Sequence, residues 1–123
     1  MDDDENIADL LGLVLASAGY KVDKRYGGQE AIDFVEGQKP EERPDLVLSD
    51  IMMPEIDGYQ VLDRFKEIGY TGPVILMTAA PSRETINEAR TRGAANYLAK
   101  PFDIWDIPRF VAEQLKRSRE VSV

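Results

Sequence analysis

The sequence contains neither cysteine nor histidine, and the two absences together remove a large part of protein chemistry. Without cysteine there is no disulfide framework, no thiolate metal site and no sulfur nucleophile. Without histidine the Ser-His and Cys-His catalytic pairs and the usual zinc sites are closed as well. Carboxylates, lysines and hydroxyls remain as the chemical inventory. No apolar run approaches the ~20 residues needed to span a bilayer. Met1 is followed by acids, not by the basic start and apolar core of a secretory leader, so a cytoplasmic protein is expected. Basic residues are in deficit, with 15 Lys and Arg against 23 Asp and Glu, a formal net charge of −8. That balance argues against a non-specific grip on nucleic acid or anionic lipid. Neither DNA nor a membrane surface is expected as a direct partner.

What is present suits one packed domain over residues 1–123: the chain is 43% hydrophobic, long enough for a single core and too short for two ordinary ones. Ile7, Leu10, Leu11, Val14 and Ala18 recur at helical spacing and stop at Gly19. Tyr20 to Lys24 alternates weakly, as a short strand does, and a helix with Ala31, Ile32 and Val35 follows Gly27-Gly28. Leu46 to Ser49 and Val74 to Met77 are short apolar runs of the kind found in strands covered on both faces. Between them Asp57 stands as a helix cap ahead of Val61, Leu62, Phe65 and Ile68. Ser82 caps a mostly polar helix over residues 83–92, Asn96 to Ala99 is a short strand, and a last helix starts near Asp106 with Pro108 in its first turn. Strands alternating with helices predict an α/β fold, a parallel sheet with helices on both faces.

In such sheets ligands bind beyond the carboxyl ends of the strands. The residues there are Asp50, Thr78 and Lys100. A carboxylate, a hydroxyl and an ammonium converging on one edge suit a phosphoryl group: Asp50 as nucleophile, Thr78 and Lys100 on its oxygens. Beside them the run Asp2-Asp3-Asp4-Glu5 could supply oxygen ligands to Mg2+. Each residue alone has a plainer reading. Asp50 would be a turn residue, Thr78 a buried hydroxyl, Lys100 a surface charge, and the acidic run a favourable helix N-terminus. Three matching chemical types at three strand ends favour the phosphoryl site.

The stretch LVLSDIMMPEIDGYQVL from Leu46 to Leu62, followed by ILMTAA and NYLAKPF, resembles the response-regulator receiver family of two-component signalling over nearly the whole chain. The resemblance implies a flavodoxin-like parallel sheet, and it implies roles residue by residue. Asp50 matches the phosphorylated aspartate, Thr78 the switch hydroxyl and Lys100 the phosphate-contacting lysine. Asp2 and Asp3 match the Mg2+-binding acidic pair, and Met52 the residue whose backbone carbonyl completes the metal shell. Tyr97 matches the aromatic switch residue, which could otherwise be ordinary core packing, and Pro101 follows a bond that is usually cis. The partners implied are a histidine kinase or phosphotransfer protein and a downstream protein target. That target would dock on the face formed by residues 83–92, Tyr97 and the last helix. The chain would be no enzyme beyond accepting and losing a phosphoryl group on its own aspartate.

Departures from the family pattern set further expectations. Ala95-Asn96 stand before Tyr97 where an acidic pair accompanies dimerisation through this face. A receiver without an effector domain after Val123 is expected. Met1 stands directly before Asp2, where the family has an apolar strand of about five residues. The expected repair is a sheet of four strands, in the family's order 2-3-4-5, with Tyr20 to Lys24 moved over to pair with Leu46 to Ser49. An exposed apolar patch would then favour a homodimer, and magnesium would bind weakly. If the acidic pair is not held in place, the alternative is a pseudo-receiver that docks partners without phosphorylation. An aspartate-nucleophile phosphohydrolase would need a second aspartate where Met52 stands, and no phosphate-cradling glycine loop follows a strand.

Overall fold

The computed structural model describes residues 4–53 and 55–121, with side chains placed through Arg117. Helix α1 (Glu5–Ser17) begins where the Asp4 carboxylate accepts from the backbone N–H of Asn6 at 3.0 Å and of Ile7 at 3.4 Å. Its inward stripe is Ala8, Leu11, Val14 and Leu15, and Gly19, with φ +97°, lets the chain leave in the left-handed region. Helix α2 (Gly28–Glu36) buries Ala31, Ile32 and Val35. Strand β1 (Val47–Asp50) leads to helix α3 (Gly58–Glu67), whose start is a full capping box between Asp57 and Gln60. Strand β2 (Val74–Thr78), helix α4 (Arg83–Thr91), strand β3 (Asn96–Ala99) and helix α5 (Ile107–Val121) complete the order. Residues Ile104–Asp106 form a 3-10 turn leading into α5, with Pro108 in its first turn as expected.

The strands are parallel in the order β1-β2-β3, with Asp50 opposite Met77 and Thr78 opposite Ala99. Every residue of β2 is buried, and successive side chains supply opposite cores. Leu76 joins Ile32, Val61 and Phe65 under α2 and α3, whereas Met77 joins Leu11, Leu15, Ile107 and Val111 under α1 and α5. This is the doubly covered parallel sheet that the alternation of elements predicts. Wholly buried side chains of this size each contribute on the order of 1.5–3 kcal/mol. The structure therefore rests on two cores that share one central strand.

The strand expected over Tyr20–Lys24 does not form, and the described residues give a sheet of three strands, not four. The reason lies in what holds that segment. Lys24 Nζ lies 3.2 Å from the Asp9 carboxylate, and the Tyr26 hydroxyl donates to the same oxygen at 2.6 Å. Both donors hold the Asp9 carboxyl below its ordinary value. The Lys24 methylenes lie against Gly12, where an added Cβ would stand 2.7 Å from Lys24 Cδ. The segment is thus tied to α1, while Tyr20 and Val22 lean on the same core as Leu46 and Leu48. A cleft of about 610 Å³ remains, lined by Leu11, Leu15, Val22, Leu46 and Leu48 among others.

Candidate functional site

The parallel register brings three polar side chains to one edge in a stepped line. Asp50 ends β1 opposite Met77, Thr78 ends β2 opposite Ala99, and Lys100 follows at once. The Lys100 backbone N–H donates to the Thr78 carbonyl at 2.7 Å, which extends the ladder to the site itself. Lys100 Nζ lies 3.1 Å from Asp50 Oδ2, with side chains only 15% and 11% exposed. The Met52 backbone N–H reaches Asp50 Oδ1 at 3.3 Å. A pair this secluded is stabilising only while both partners are present, because either charge alone would be poorly solvated. The Lys100–Pro101 peptide is cis, as the resemblance implies.

Thr78 is buried, and its Oγ1 accepts from the Ala80 N–H at 3.0 Å. The hydroxyl therefore holds the first turn of the segment leading to α4. Tyr97 is half-buried on β3. Its neighbour Leu98 packs into the core under α1 and α5, so the alternation of a strand puts Tyr97 on the opposite face. The residues expected to form the output face are largely exposed: in α4 only Ala89 is buried.

Two residues matter here that the sequence reading passed over. Gly58 carries no role in the sequence reading, yet a Cβ there would stand 2.5 Å from the Asp50 carbonyl oxygen, and its N–H donates to the Ile51 carbonyl at 2.8 Å. The glycine lets α3 press directly on the backbone of the candidate nucleophile. The Asp57-Gly58 pair within the stretch from Leu46 to Leu62 was the available signal. Ala80 matters through its backbone alone, and no side-chain pattern could have announced it.

A hard divalent cation would need oxygen donors. Asp50 supplies a carboxylate of the right chemistry. Met52 has a side chain 76% exposed, which leaves its backbone as the group facing the site. Asp2 and Asp3 lie outside the described residues, and among the described residues no group of three or more acidic side chains is gathered as a metal site. Asp4 is engaged at the N-terminus of α1, the plainer role open to the acidic run. No helix among the described residues is long and apolar enough to cross a membrane.

Comparison with known proteins agrees with this geometry. Residues 1–112 match the family model of the response regulator receiver domain. The chain is 39% identical over 115 residues to sporulation initiation phosphotransferase F of Bacillus subtilis (strain 168), covering 94% of this chain and 90% of that protein. It is 34% identical to the DNA-binding dual master transcriptional regulator RpaA of Synechocystis, covering 98% of this chain but only 49% of that protein. Among solved structures, the CheY-like response regulator receiver domain from Methanospirillum hungatei superposes with a TM-score of 0.87 at 25% identity, over 98% of this chain and 94% of that one.

Proposed function

This chain belongs to the response regulator receiver domain family, and from that membership we propose that it is a phosphoacceptor in a two-component phosphorelay, phosphorylated on Asp50. The observation that carries the reading is the secluded Asp50–Lys100 pair at 3.1 Å, one strand step from Thr78. A carboxylate oxygen of Asp50 attacks phosphorus, the bond from phosphorus to the donor atom breaks, and its electron pair leaves with the donor. The donor is an imidazole nitrogen of a histidine kinase or phosphotransfer protein, or the acyl oxygen of a small phosphodonor. Lys100 stands where phosphoryl oxygens would gather and meets their charge without reorganisation. Water then attacks phosphorus, the bond from phosphorus to the Asp50 oxygen breaks, and inorganic phosphate leaves with the carboxylate restored, so the chain's own aspartate is the only group that cycles.

Mg2+ is the cation this donor chemistry suits, and Asp50, the Met52 backbone carbonyl, Asp2 and Asp3 are the groups that would hold it. When bound it would neutralise charge on the phosphoryl oxygens. On the output side, Thr78 moves towards the phosphoryl group, gives up its bond from Ala80, and makes room for Tyr97 to turn inward. A downstream protein target then reads the face formed by residues 83–92, Tyr97 and α5. The Bacillus relative bears phosphotransferase in its name, which supports a place in a relay.

Intact-mass measurement after incubation with magnesium and acetyl phosphate tests the assignment. Wild type should gain one phosphoryl group and Asp50→Asn none. Equal labelling of Asp50→Asn would displace the acceptor from Asp50. Failure of wild type to label with any donor would favour the pseudo-receiver that docks partners unmodified.

A further inference from the structure

Helix α4 is weakly embedded, with Ala89 its one buried residue, yet its C-terminal end carries a dense set of polar bonds to α3. Arg92, the residue that closes α4, donates from Nη1 to the Asp63 carboxylate at 2.7 Å and from Nε to Glu88 at 2.6 Å. Its guanidinium also lies 5.0 Å from the centre of the Tyr59 ring, within cation–π range. The Lys66 ammonium donates to the Arg92 backbone carbonyl. Gly93 makes room for that lysine, since a Cβ at this position would collide with Lys66 Nζ. Tyr59, Asp63 and Lys66 all sit on α3, which is itself fixed by Val61, Leu62 and Phe65 at 0–2% exposure.

The N-terminal end of α4 is different. Residues 79–84 are all exposed, and the Ser82 cap bonds only within the helix, to Thr85. The connection back to the candidate phosphorylation site runs through the single bond from the Ala80 N–H to Thr78 Oγ1. One end of the helix is therefore pinned to a rigid neighbour by charged groups, and the other is held by two hydroxyls, that of Thr78 on the Ala80 N–H and that of Tyr59 on the Thr85 carbonyl at 3.3 Å.

We propose that Arg92 is a hinge pin, a positioning residue that fixes the C-terminal end of α4 to α3. A change at Thr78 then swings the N-terminal end of the helix without freeing the whole element. The pin is a feature of the unmodified chain, and only the swing rests on the phosphoacceptor reading above. An arginine suits the task because its planar fork reaches two carboxylates while its face lies on a ring, which a lysine cannot reproduce.

Residue-resolved amide exchange by NMR tests both parts, on wild type, Arg92→Ala, Arg92→Lys and Asp63→Ala, with and without beryllofluoride as the phosphoryl mimic. In the unmodified protein, Arg92→Ala should speed exchange at Arg90, Thr91 and Arg92 about tenfold, with β1 and β2 unchanged. Arg92→Lys should recover little of this, and Asp63→Ala should show a smaller acceleration at the same three amides. In wild type, beryllofluoride should speed exchange at Ile86 and Asn87 while Arg90 to Arg92 keep their protection. In Arg92→Ala it should loosen the whole helix. Unchanged exchange at Arg90 to Arg92 in Arg92→Ala overturns the pin. An equal response along α4 in mimic-bound wild type overturns the swing. If the mimic fails to bind and Asp50 takes no phosphoryl group, the phosphoacceptor reading and the swing fall, while the unmodified arm still decides the pin.

Discussion

Helices α3 and α4 are nearly equal in length, 10 and 9 residues, and are tied side by side, yet they are built for opposite purposes. Helix α3 buries Gly58, Val61, Leu62 and Phe65 and starts on a capping box. Helix α4 buries Ala89 alone and starts on a single serine cap. Apolar burial makes α3 part of the scaffold that presses on Asp50. Helix α4 is held instead by polar bonds gathered at its C-terminal end, and its N-terminal end has little apolar burial to keep it in place. The contrast sets a helix placed by hydrophobic burial beside one placed by charged side chains.

The strongest way to break the contrast is to hollow out α3. Phe65→Ala should cost about 3–5 kcal/mol in chemical denaturation, because the ring is 1% exposed and stacks edge-on against Tyr70. The matching truncation in α4, Ile86→Ala, should cost less than about 1 kcal/mol, since that side chain is only half-buried. Comparable losses from the two would mean that α4 is as much scaffold as α3.

A smaller and more specific effect is expected at Gly58. Gly58→Ala places a methyl 2.5 Å from the Asp50 carbonyl oxygen, and overpacking of this kind costs about 1–3 kcal/mol. Labelling of Asp50 should slow as well, because the strand end that aims the carboxylate must shift. A stable variant that labels at the wild-type rate would separate α3 from the site.

The caps give the smallest effects. Asp57→Ala removes a capping box and should lower global stability by about 1 kcal/mol. Ser82→Ala should lower it by no more than a few tenths, with its effect seen as faster local amide exchange near Thr85. Equal global losses would contradict the division between the two helices.

Much of this architecture was legible in the residues. The apolar runs before Asp50 and Thr78 announced strands covered on both faces, and Asp57 and Ser82 announced the helix starts they cap. The alternation of elements then brought Asp50, Thr78 and Lys100 to one edge. The Tyr20–Lys24 segment was misread because weak alternation and the family's strand order were taken to carry it across to Leu46–Ser49. Its path is decided by Asp9 and Gly12 on α1, against which Lys24 and Tyr26 are held, contacts distant in sequence that no local pattern reveals. The importance of Gly58 and of the Ala80 N–H was hidden for a related reason: one acts through an absent side chain and the other through the backbone. Arg92 looked like one more surface charge on a polar helix beside its i,i+4 partner Glu88, and only the approach of α4 to α3 brings Tyr59 and Asp63 to it.

The central claim is that chemistry at Asp50 reaches the output face through the Thr78 hydroxyl. NMR of the Ala80 amide and the Tyr97 ring, recorded with and without beryllofluoride in wild type and Thr78→Ala, tests it most directly. Both signals should move in wild type. In Thr78→Ala the Tyr97 ring should stay in place, although intact mass shows Asp50 still accepting a phosphoryl group from acetyl phosphate. A full Tyr97 response in Thr78→Ala would contradict the account.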